Sequence, residues 1–94
     1  MAIVGSPKQQ PKDVQDYDID FSEWFPPDDI IVSATINVQP SMPIPCTFAI
    51  KHPRIKVWVY EGGTSGIMYK ITVNAKTNDG RIKEVELKIR MKED

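Results

Sequence analysis

The sequence has one cysteine and one histidine among its 94 residues, which limits the chemistry it can perform. A single cysteine, Cys46, cannot form a disulfide within the chain, so the sequence argues against a disulfide-stapled secreted fold. We expect Cys46 to be a small buried hydrophobe. The histidine, His52, lies between Lys51 and Pro53. We expect it to be a solvated or interface side chain and not a general base.

Long apolar runs and a strong net charge are also missing. No run approaches the roughly 18 apolar residues that span a bilayer. The first 13 residues lack a charged leader, an apolar stretch and a small-residue cleavage site, so we expect no secretory signal. The formal net charge of −1 favours neither nucleic acid nor an anionic membrane as a partner. At 94 residues the chain has room for one domain with a thin core, which often gains stability from a partner.

The residues of known catalytic, metal and phosphate sites do not occur in the required combinations. Asp16, Asp18 and Asp20 have the alternate spacing of a calcium loop, but the glycine and terminal glutamate of such a loop are absent. Residues 62–66 are rich in glycine, but they join two predicted strands and lack the lysine and helix of a phosphate cradle. We therefore expect no enzyme, no metal and no cofactor, and a solvated strand face at the three aspartates.

What the sequence does contain is repeated period-two alternation of apolar and polar residues, rich in β-branched types. In residues 30–38 the alternation places Ile30, Val32, Ala34, Ile36 and Val38 on one face. Residues 77–80 separate two such runs and predict a hairpin. Together the runs predict an all-β fold, a small immunoglobulin-like antiparallel β-sandwich over residues 14–94. The predicted strands cover residues 17–21, 30–38, 47–50, 54–60, 67–75 and 81–91, with a bulge near Lys83 and Glu84 that would bring Ile82 into phase.

The first 13 residues are polar and contain Pro7 and Pro11. Such a segment buries too little apolar surface to offset the entropy of ordering it. We expect a flexible N-terminal arm that extends from the sandwich. The alternative is an arm that orders against a neighbouring chain.

Tyr69 opens a predicted strand that a hairpin connects to the last strand. This arrangement is similar to the tyrosine corner of immunoglobulin-type domains, in which the ring is buried and the hydroxyl bonds a nearby backbone group. An ordinary core tyrosine, which also needs a partner for its hydroxyl, is the alternative.

Two sets of residues are candidates for an interface with another protein. The first lies in the acidic, aromatic stretch 14–29, which holds no base. The second follows from the alternation of residues 54–60, which turns three side chains outward unless the N-terminal segment folds back over them. The candidate interface residues are Tyr17, Phe21, Trp24 and Phe25 in the first set and Lys56, Trp58 and Tyr60 in the second.

Opposite charges are concentrated in two parts of the sequence. Asp16, Asp18 and Asp20 form an acidic row, whereas Lys51, Arg54 and Lys56 form a basic stretch. One interpretation is that the two stretches mate head to tail between copies in a ring. The other is that opposite charges simply mix across one surface.

The ordered set of these segments resembles a known protein family. Residues 16–24, DYDIDFSEW, are similar to the D-Y-x-I-D-W-S-x-W/L opening of the tail-collar fibre or fibre-tail adaptor proteins of tailed phages. A run such as residues 28–35, a Val-Trp-Val strand at residues 57–59 and the loop at residues 62–66 follow in the same order. A tyrosine at position 69 and a hairpin ending in Asp79-Gly80-Arg81 complete the likeness. Phe21 in place of the usual tryptophan, the proline-rich residues 40–45 and the connection at residues 51–54 depart from the pattern.

This resemblance implies a virion structural protein that is made in the host cytoplasm and has no catalytic residues. It implies an adaptor at the neck, collar or tail that links fibres or neighbouring subunits. Its partners would be portal or neck, tail or fibre proteins, with the chain itself present as a ring or in several copies. Two alternatives stay open: a capsid decoration or cement protein, and an immunoglobulin-like module that binds a carbohydrate or host surface through Trp58 and Tyr60.

Overall fold

The computed structural model of the chain describes residues 2–5, 8–39 and 44–92, and these residues form strands and turns with no helix. The body measures 43 × 20 × 18 Å, so its two ends lie far apart. The eight strands are β1 (Ala2–Gly5), β2 (Lys8–Gln9), β3 (Gln15–Asp20), β4 (Ile31–Gln39), β5 (Cys46–Lys51), β6 (Arg54–Val59), β7 (Met68–Thr77) and β8 (Ile82–Met91).

The strands make two sheets, which confirms the all-β sandwich predicted from the alternation. One sheet has the order β1-β8-β7-β4, with β2 also paired to β8. The other has the order β3-β6-β5. All pairs are antiparallel except those of β1 and β2 with β8, which are parallel. The immunoglobulin-like classification remains a prediction.

The core forms where the inward faces of β6, β7 and β8 meet. Alternate residues on each of these strands are buried because successive side chains point to opposite faces of a sheet. The alternation of the two runs joined by the hairpin predicts a core of Tyr69, Ile71, Val73, Leu87 and Ile89, and each of these residues is at most 3% exposed. On β6 the buried residues are Ile55, Val57 and Val59, all 0% exposed.

The start of β4 departs from the predicted alternation. The pairing of β4 with β7 shifts between Ile31 and Ser33, as in a β-bulge. The shift buries Ile31 and leaves Ile30 and Val32 53% and 56% exposed. The prediction that these two residues share the inward face with Ala34 was therefore wrong.

The bulge predicted near Lys83 and Glu84 is not found. The β7–β8 pairing runs without a shift from Met68 opposite Arg90 to Lys76 opposite Ile82. Ile82 consequently stays on the outward face, 66% exposed.

The structure differs from the expectation of a flexible arm at residues 1–13. Residues 2–5 and 8–9 add as short parallel strands beside β8, and the Gln9 side chain is buried. The physical reason is that β8 has an open edge, where the segment gains backbone hydrogen bonds. The polar composition of the segment does not predict this pairing.

Candidate contact surface

The outward face of β6 carries the second set of candidate interface residues. Trp58 and the following Tyr60 are 36% and 37% exposed, and Lys56 is half-buried beside them. The Tyr60 and Thr47 hydroxyl oxygens lie 3.3 Å apart. Because Val57 and Val59 are locked into the core on the other side of the strand, the outward direction of these side chains is fixed. Trp58 therefore stands on a rigid support.

The acidic row and the basic stretch meet within the chain. In the β3–β6 pairing Asp18 lies opposite Lys56, and Asp20 lies opposite Arg54. The Lys56 ammonium also lies 3.4 Å from an Asp16 carboxylate oxygen. The interpretation that opposite charges mix across one surface therefore describes these residues.

The first set of candidate interface residues is largely internal. Phe21 is 0% exposed and Phe25 is 6% exposed, so the expectation that both present aromatic surface to a neighbour was wrong. Their rings stack with centroids 5.9 Å apart. The turn after β3 folds them into the gap between the sheets, where the apolar surface they bury stabilises this end of the sandwich.

Trp24 and Tyr17 are half-buried. The Trp24 ring packs edge-on against Phe21, with centroids 5.6 Å apart, and the Lys83 ammonium lies 5.0 Å from its centroid. Tyr17 donates a hydrogen bond from its hydroxyl to Gln9 Oε1 at 2.8 Å. Both residues therefore have partners in their own chain and present only part of their surface to solvent.

An acidic side chain closes one end of the sandwich, here called the hairpin end (Asp29, Thr77, Asp79 and Arg81). The Asp29 side chain is 1% exposed and binds the Arg81 guanidinium at 2.6 Å. It also accepts a hydrogen bond from the Asp79 backbone N–H at 3.0 Å. The Thr77 Oγ1 accepts a further bond from the Arg81 N–H at 3.0 Å. The buried aspartate thus holds the β7–β8 hairpin against the segment that precedes β4.

The electrostatics of the hairpin end favour the ionised carboxylate. Burial acts to raise the pKa of Asp29, but hydrogen bonds from Thr77, Arg81 and the Asp79 backbone, together with the charge of Arg81, outweigh it and lower the pKa. The pKa of Arg81 is raised, chiefly by its hydrogen bond with Asp29. Both groups are therefore charged at neutral pH.

The opposite end, here called the glycine-loop end (Gln9, Gly63, Thr64 and Tyr69), is closed by neutral groups. The buried Tyr69 hydroxyl accepts a hydrogen bond from the Thr64 backbone N–H at 2.9 Å. Gly63 has φ of +85°, and a Cβ there would lie 2.8 Å from Ile44 Cγ2 and 3.1 Å from the Tyr69 ring. This position therefore requires glycine for its backbone conformation and for the close approach of the ring. The Tyr69 hydrogen bond is of the kind expected for a tyrosine corner, and that name for it stays a prediction.

Gln9 links the N-terminal segment to this end. Its side-chain amide donates to the Asp13 carbonyl oxygen at 2.9 Å and to the Val59 carbonyl oxygen at 3.4 Å. Its side-chain oxygen receives the Tyr17 hydroxyl proton. Burial is the main cause that raises the pKa of Tyr17, with Asp13 and Asp16 adding to it.

Cys46 is the first residue of β5, and His52 follows the last residue of the same strand. Burial raises the pKa of the Cys46 thiol to about 11, so the thiol is protonated at neutral pH. His52 Nδ1 accepts a hydrogen bond from the Ile31 backbone N–H at 3.2 Å. Within residues 2–5, 8–39 and 44–92, no group of three or more His, Cys, Asp or Glu residues could hold a metal ion, and no helix could cross a membrane.

Sequence reasoning missed the Asp29–Arg81 contact although it had singled out both segments. The two residues are 52 positions apart, and the local sequence around each one predicts a charged side chain exposed in a turn. Both segments belong to the ordered family pattern, in which a run such as residues 28–35 is followed by Asp79-Gly80-Arg81. This shared membership was the sequence feature that could have indicated the contact.

Comparison with known proteins gives one family. No curated protein matches the chain significantly. The family model of the podophage GP4 fiber-tail adaptor protein gp77 matches residues 9–90, which run from the second residue of β2 to the next-to-last residue of β8. This match confirms the resemblance drawn from the opening motif, the glycine-rich loop and the final hairpin. The chain is a member of the podophage GP4 fibre-tail adaptor family and, with it, a structural component of the phage virion.

Proposed function

We propose that this protein links tail fibres to neighbouring virion subunits at the neck, collar or tail of a podophage particle, and that it acts in several copies and without catalysis. The observation that carries the proposal is the family match, which extends over nearly all of the described sandwich. The protonated Cys46 thiol and its separation from His52 along β5 agree with a structural role. We further propose that the chain is synthesised in the host cytoplasm before it is assembled into the particle.

The surface that we assign to the neighbour is the outward face of β6, with Trp58 and Tyr60 as anchors and Lys56 beside them. Tryptophan and tyrosine dominate the energetics of protein interfaces because they bury a large area with few rotatable bonds. Trp58 lies in β6, Tyr60 is the first residue after the strand ends at Val59, and both are over a third exposed. Rigid aromatic side chains of this kind lose little entropy when a partner covers them.

The test is particle assembly with a variant chain in place of the native one. Trp58→Ala should leave the fold intact, because the side chain lies outside the core, and should reduce the number of particles that carry fibres at least tenfold. Met68→Ala is the matched control, since Met68 is 40% exposed on the other sheet. Fibre attachment equal to that of the native chain in Trp58→Ala particles would contradict the assigned surface.

The same aromatic pair also suits stacking against a sugar ring, which keeps the carbohydrate-binding alternative testable. The isolated chain would then bind sugars on a glycan array, and Trp58→Ala would abolish this binding but leave fibre attachment normal. That result would identify the surface as a sugar-binding site and not as the adaptor surface. Binding to capsid lattice points would favour a decoration protein.

A further inference from the structure

The core of the sandwich is open along one side, where β4 and β5 are the edge strands of the two sheets. On the neighbouring strands the inward side chains Val73 and Val57 are 0% exposed. The residues paired with them on the edge strands are covered only in part. Ile36, opposite Val73, is half-buried, and Phe48 of β5 is 38% exposed. Apolar side chains that face the core therefore remain accessible at this side.

A groove of about 590 Å³, here called the edge groove, lies between the two edge strands. A cavity of about 150 Å³ accommodates benzene, so the edge groove has room for more than one apolar side chain. None of the described residues that line it carries a charge. Its apolar lining residues are Ile36, Val38, Ile44, Cys46 and Phe48.

The backbone of β4 has an unpaired edge beside this groove. In the described part of the chain β4 pairs with β7 alone. The Ile31 N–H at the start of the strand donates to His52 Nδ1 at 3.2 Å, but among the described residues no hydrogen bond reaches the outer edge of residues 33–39. In an antiparallel pair alternate residues direct both their N–H and their C=O away from the partner strand. Residues 33–39 therefore present a row of donors and acceptors to a further strand.

β4 lacks the features that usually keep an edge strand from pairing. Such strands are protected by lysines, prolines, inward charges or bulges. Residues 30–39 contain no charged residue and no proline, and the bulge between Ile31 and Ser33 leaves the rest of the strand regular. By contrast β3, an edge of the other sheet, carries an aspartate at every second position. The open edge of β4 is therefore suited to pairing with another chain.

We propose that an extended segment of another virion protein adds as a strand to the open edge of β4 and inserts its alternate side chains into the edge groove. In this mode of recognition the backbone hydrogen bonds provide affinity, and the pockets for alternate side chains provide specificity. Because the edge and the groove are uncharged, a charged side chain would be buried there without a partner. The segment that fits is uncharged and has apolar residues at every second position.

The segment belongs to the neighbour that covers the Trp58 face, so the inference rests on the proposed function. Thr47 lines the edge groove and lies opposite Trp58 in the β5–β6 pairing. Its hydroxyl oxygen is 3.3 Å from that of Tyr60. The groove is therefore continuous with the contact surface, and one partner can cover both. A second copy of this chain is a poorer donor, because each of its described strands is already paired within its own sheets.

The first test is amide hydrogen exchange of the native chain, measured by mass spectrometry on the free protein and on assembled podophage particles. The outward amides of residues 33–39 should exchange quickly in the free chain and at least tenfold more slowly in the particle, because the added strand accepts their hydrogen bonds. Residues 71–73, in the middle of a sheet, are the internal control and should exchange slowly in both states. Equally fast exchange of residues 33–39 in both states would overturn the proposal.

The second test places a charge in the edge groove from either wall. Ile36→Lys and, separately, Phe48→Lys should reduce the number of particles that carry fibres at least tenfold, because the docked strand would bury the new charge. Phe48 is over a third exposed, so its variant should keep the fold even if Ile36→Lys does not. Thr35→Lys is the matched control, since it adds the same charge on the exposed face of the same strand. Circular dichroism of each purified chain checks that it is folded.

The outcomes separate this inference from the proposed function. Folded Phe48→Lys chains that give native fibre numbers, while Trp58→Ala particles lose their fibres, would overturn the docked strand and leave the adaptor function standing. Slow exchange of residues 33–39 in particles whose fibre numbers neither variant changes would support the docked strand and contradict the fibre contact. Slow exchange of residues 33–39 in the free chain, together with a dimer in sedimentation velocity, would assign the edge to a second copy and overturn the proposal.

Discussion

The two ends of the sandwich are held together by different chemistry. At the hairpin end a buried carboxylate and a guanidinium join two segments 52 residues apart. At the glycine-loop end neutral hydroxyl and amide groups join distant segments through hydrogen bonds. Both ends leave no buried side-chain polar atom unpartnered within the described residues. The difference lies in how each end responds to a change. The ionic end responds to acid, whereas the neutral end depends chiefly on shape, because a tyrosine ring packs against a backbone conformation that requires glycine.

The largest expected effect is at the glycine-loop end. Gly63→Ala adds a Cβ 2.8 Å from Ile44 Cγ2 at a φ of +85°, so strain and overpacking should together lower the free energy of unfolding by about 2–5 kcal/mol. Gly80→Ala, at the other end, has φ of +93° and open space, so only the strain of about 1–2 kcal/mol applies. Urea unfolding measures both. Equal losses would show that the close approach at Gly63 is unimportant.

A smaller loss is expected when the buried ion pair is broken. Asp29→Asn keeps the size of the side chain but removes the charge that pairs with Arg81. The variant should unfold at lower denaturant concentration than the native chain, whereas Asp28→Asn, at an exposed neighbour, should not change the midpoint. Identical midpoints for the two variants would mean that the hairpin end does not stabilise the fold.

The pH dependence separates the two ends further. The pKa of Asp29 is lower in the folded chain than in the unfolded one, so its contribution is present above the unfolded pKa of about 3.9 and is lost as pH falls through the folded pKa. The pKa of Tyr17 is raised, so its contribution is present below the unfolded pKa of about 10 and is lost as pH rises through the folded pKa.

Unfolding free energies measured from pH 2 to pH 7 should therefore fall below about pH 4 in the native chain and fall less steeply in Asp29→Asn. Asp20, whose pKa is lowered chiefly by a backbone hydrogen bond from Ser22, adds a slope that both proteins share. An acid limb that is unchanged in Asp29→Asn would contradict the assigned role of the carboxylate.

The smallest effect concerns a single hydroxyl. Tyr69→Phe removes the acceptor for the Thr64 N–H and should lower the free energy of unfolding by about 1 kcal/mol. Tyr60→Phe removes an exposed hydroxyl and should stay within about 0.5 kcal/mol of the native value. Thermal unfolding followed by circular dichroism gives both values, and a null effect at Tyr69 would argue against a tyrosine corner.

The sequence alone was enough for the strands and the core because side-chain alternation is a local property. Val57 and Val59, or Ile71 and Val73, lie on the buried face that their spacing predicts. The alternation failed at Val32, since a one-residue bulge leaves no mark in a run that is apolar on both sides of it. The short strands beside β8 were missed because their pairing depends on an edge contributed by residues about 80 positions away.

The candidate surface divides in the same way. Trp58 and Tyr60 face outward as their strand predicts, because the opposite face of β6 is core. Phe21 and Phe25 proved internal, since the turn after β3 brings them between the sheets and no local pattern distinguishes that from an exposed aromatic segment. The Asp29–Arg81 contact links distant turns, and only the recurrence of both turns in the family pattern hinted at it.

The central claim is that this chain joins the fibres to the tail, and a cryo-electron microscopy map of the assembled particle tests it most directly. The account predicts density for the two-sheet domain between the fibre attachment site and the tail, in several symmetry-related copies, with the Trp58 face covered by another virion protein. Density for the domain on the capsid lattice, or an uncovered Trp58 face at the junction, would contradict it.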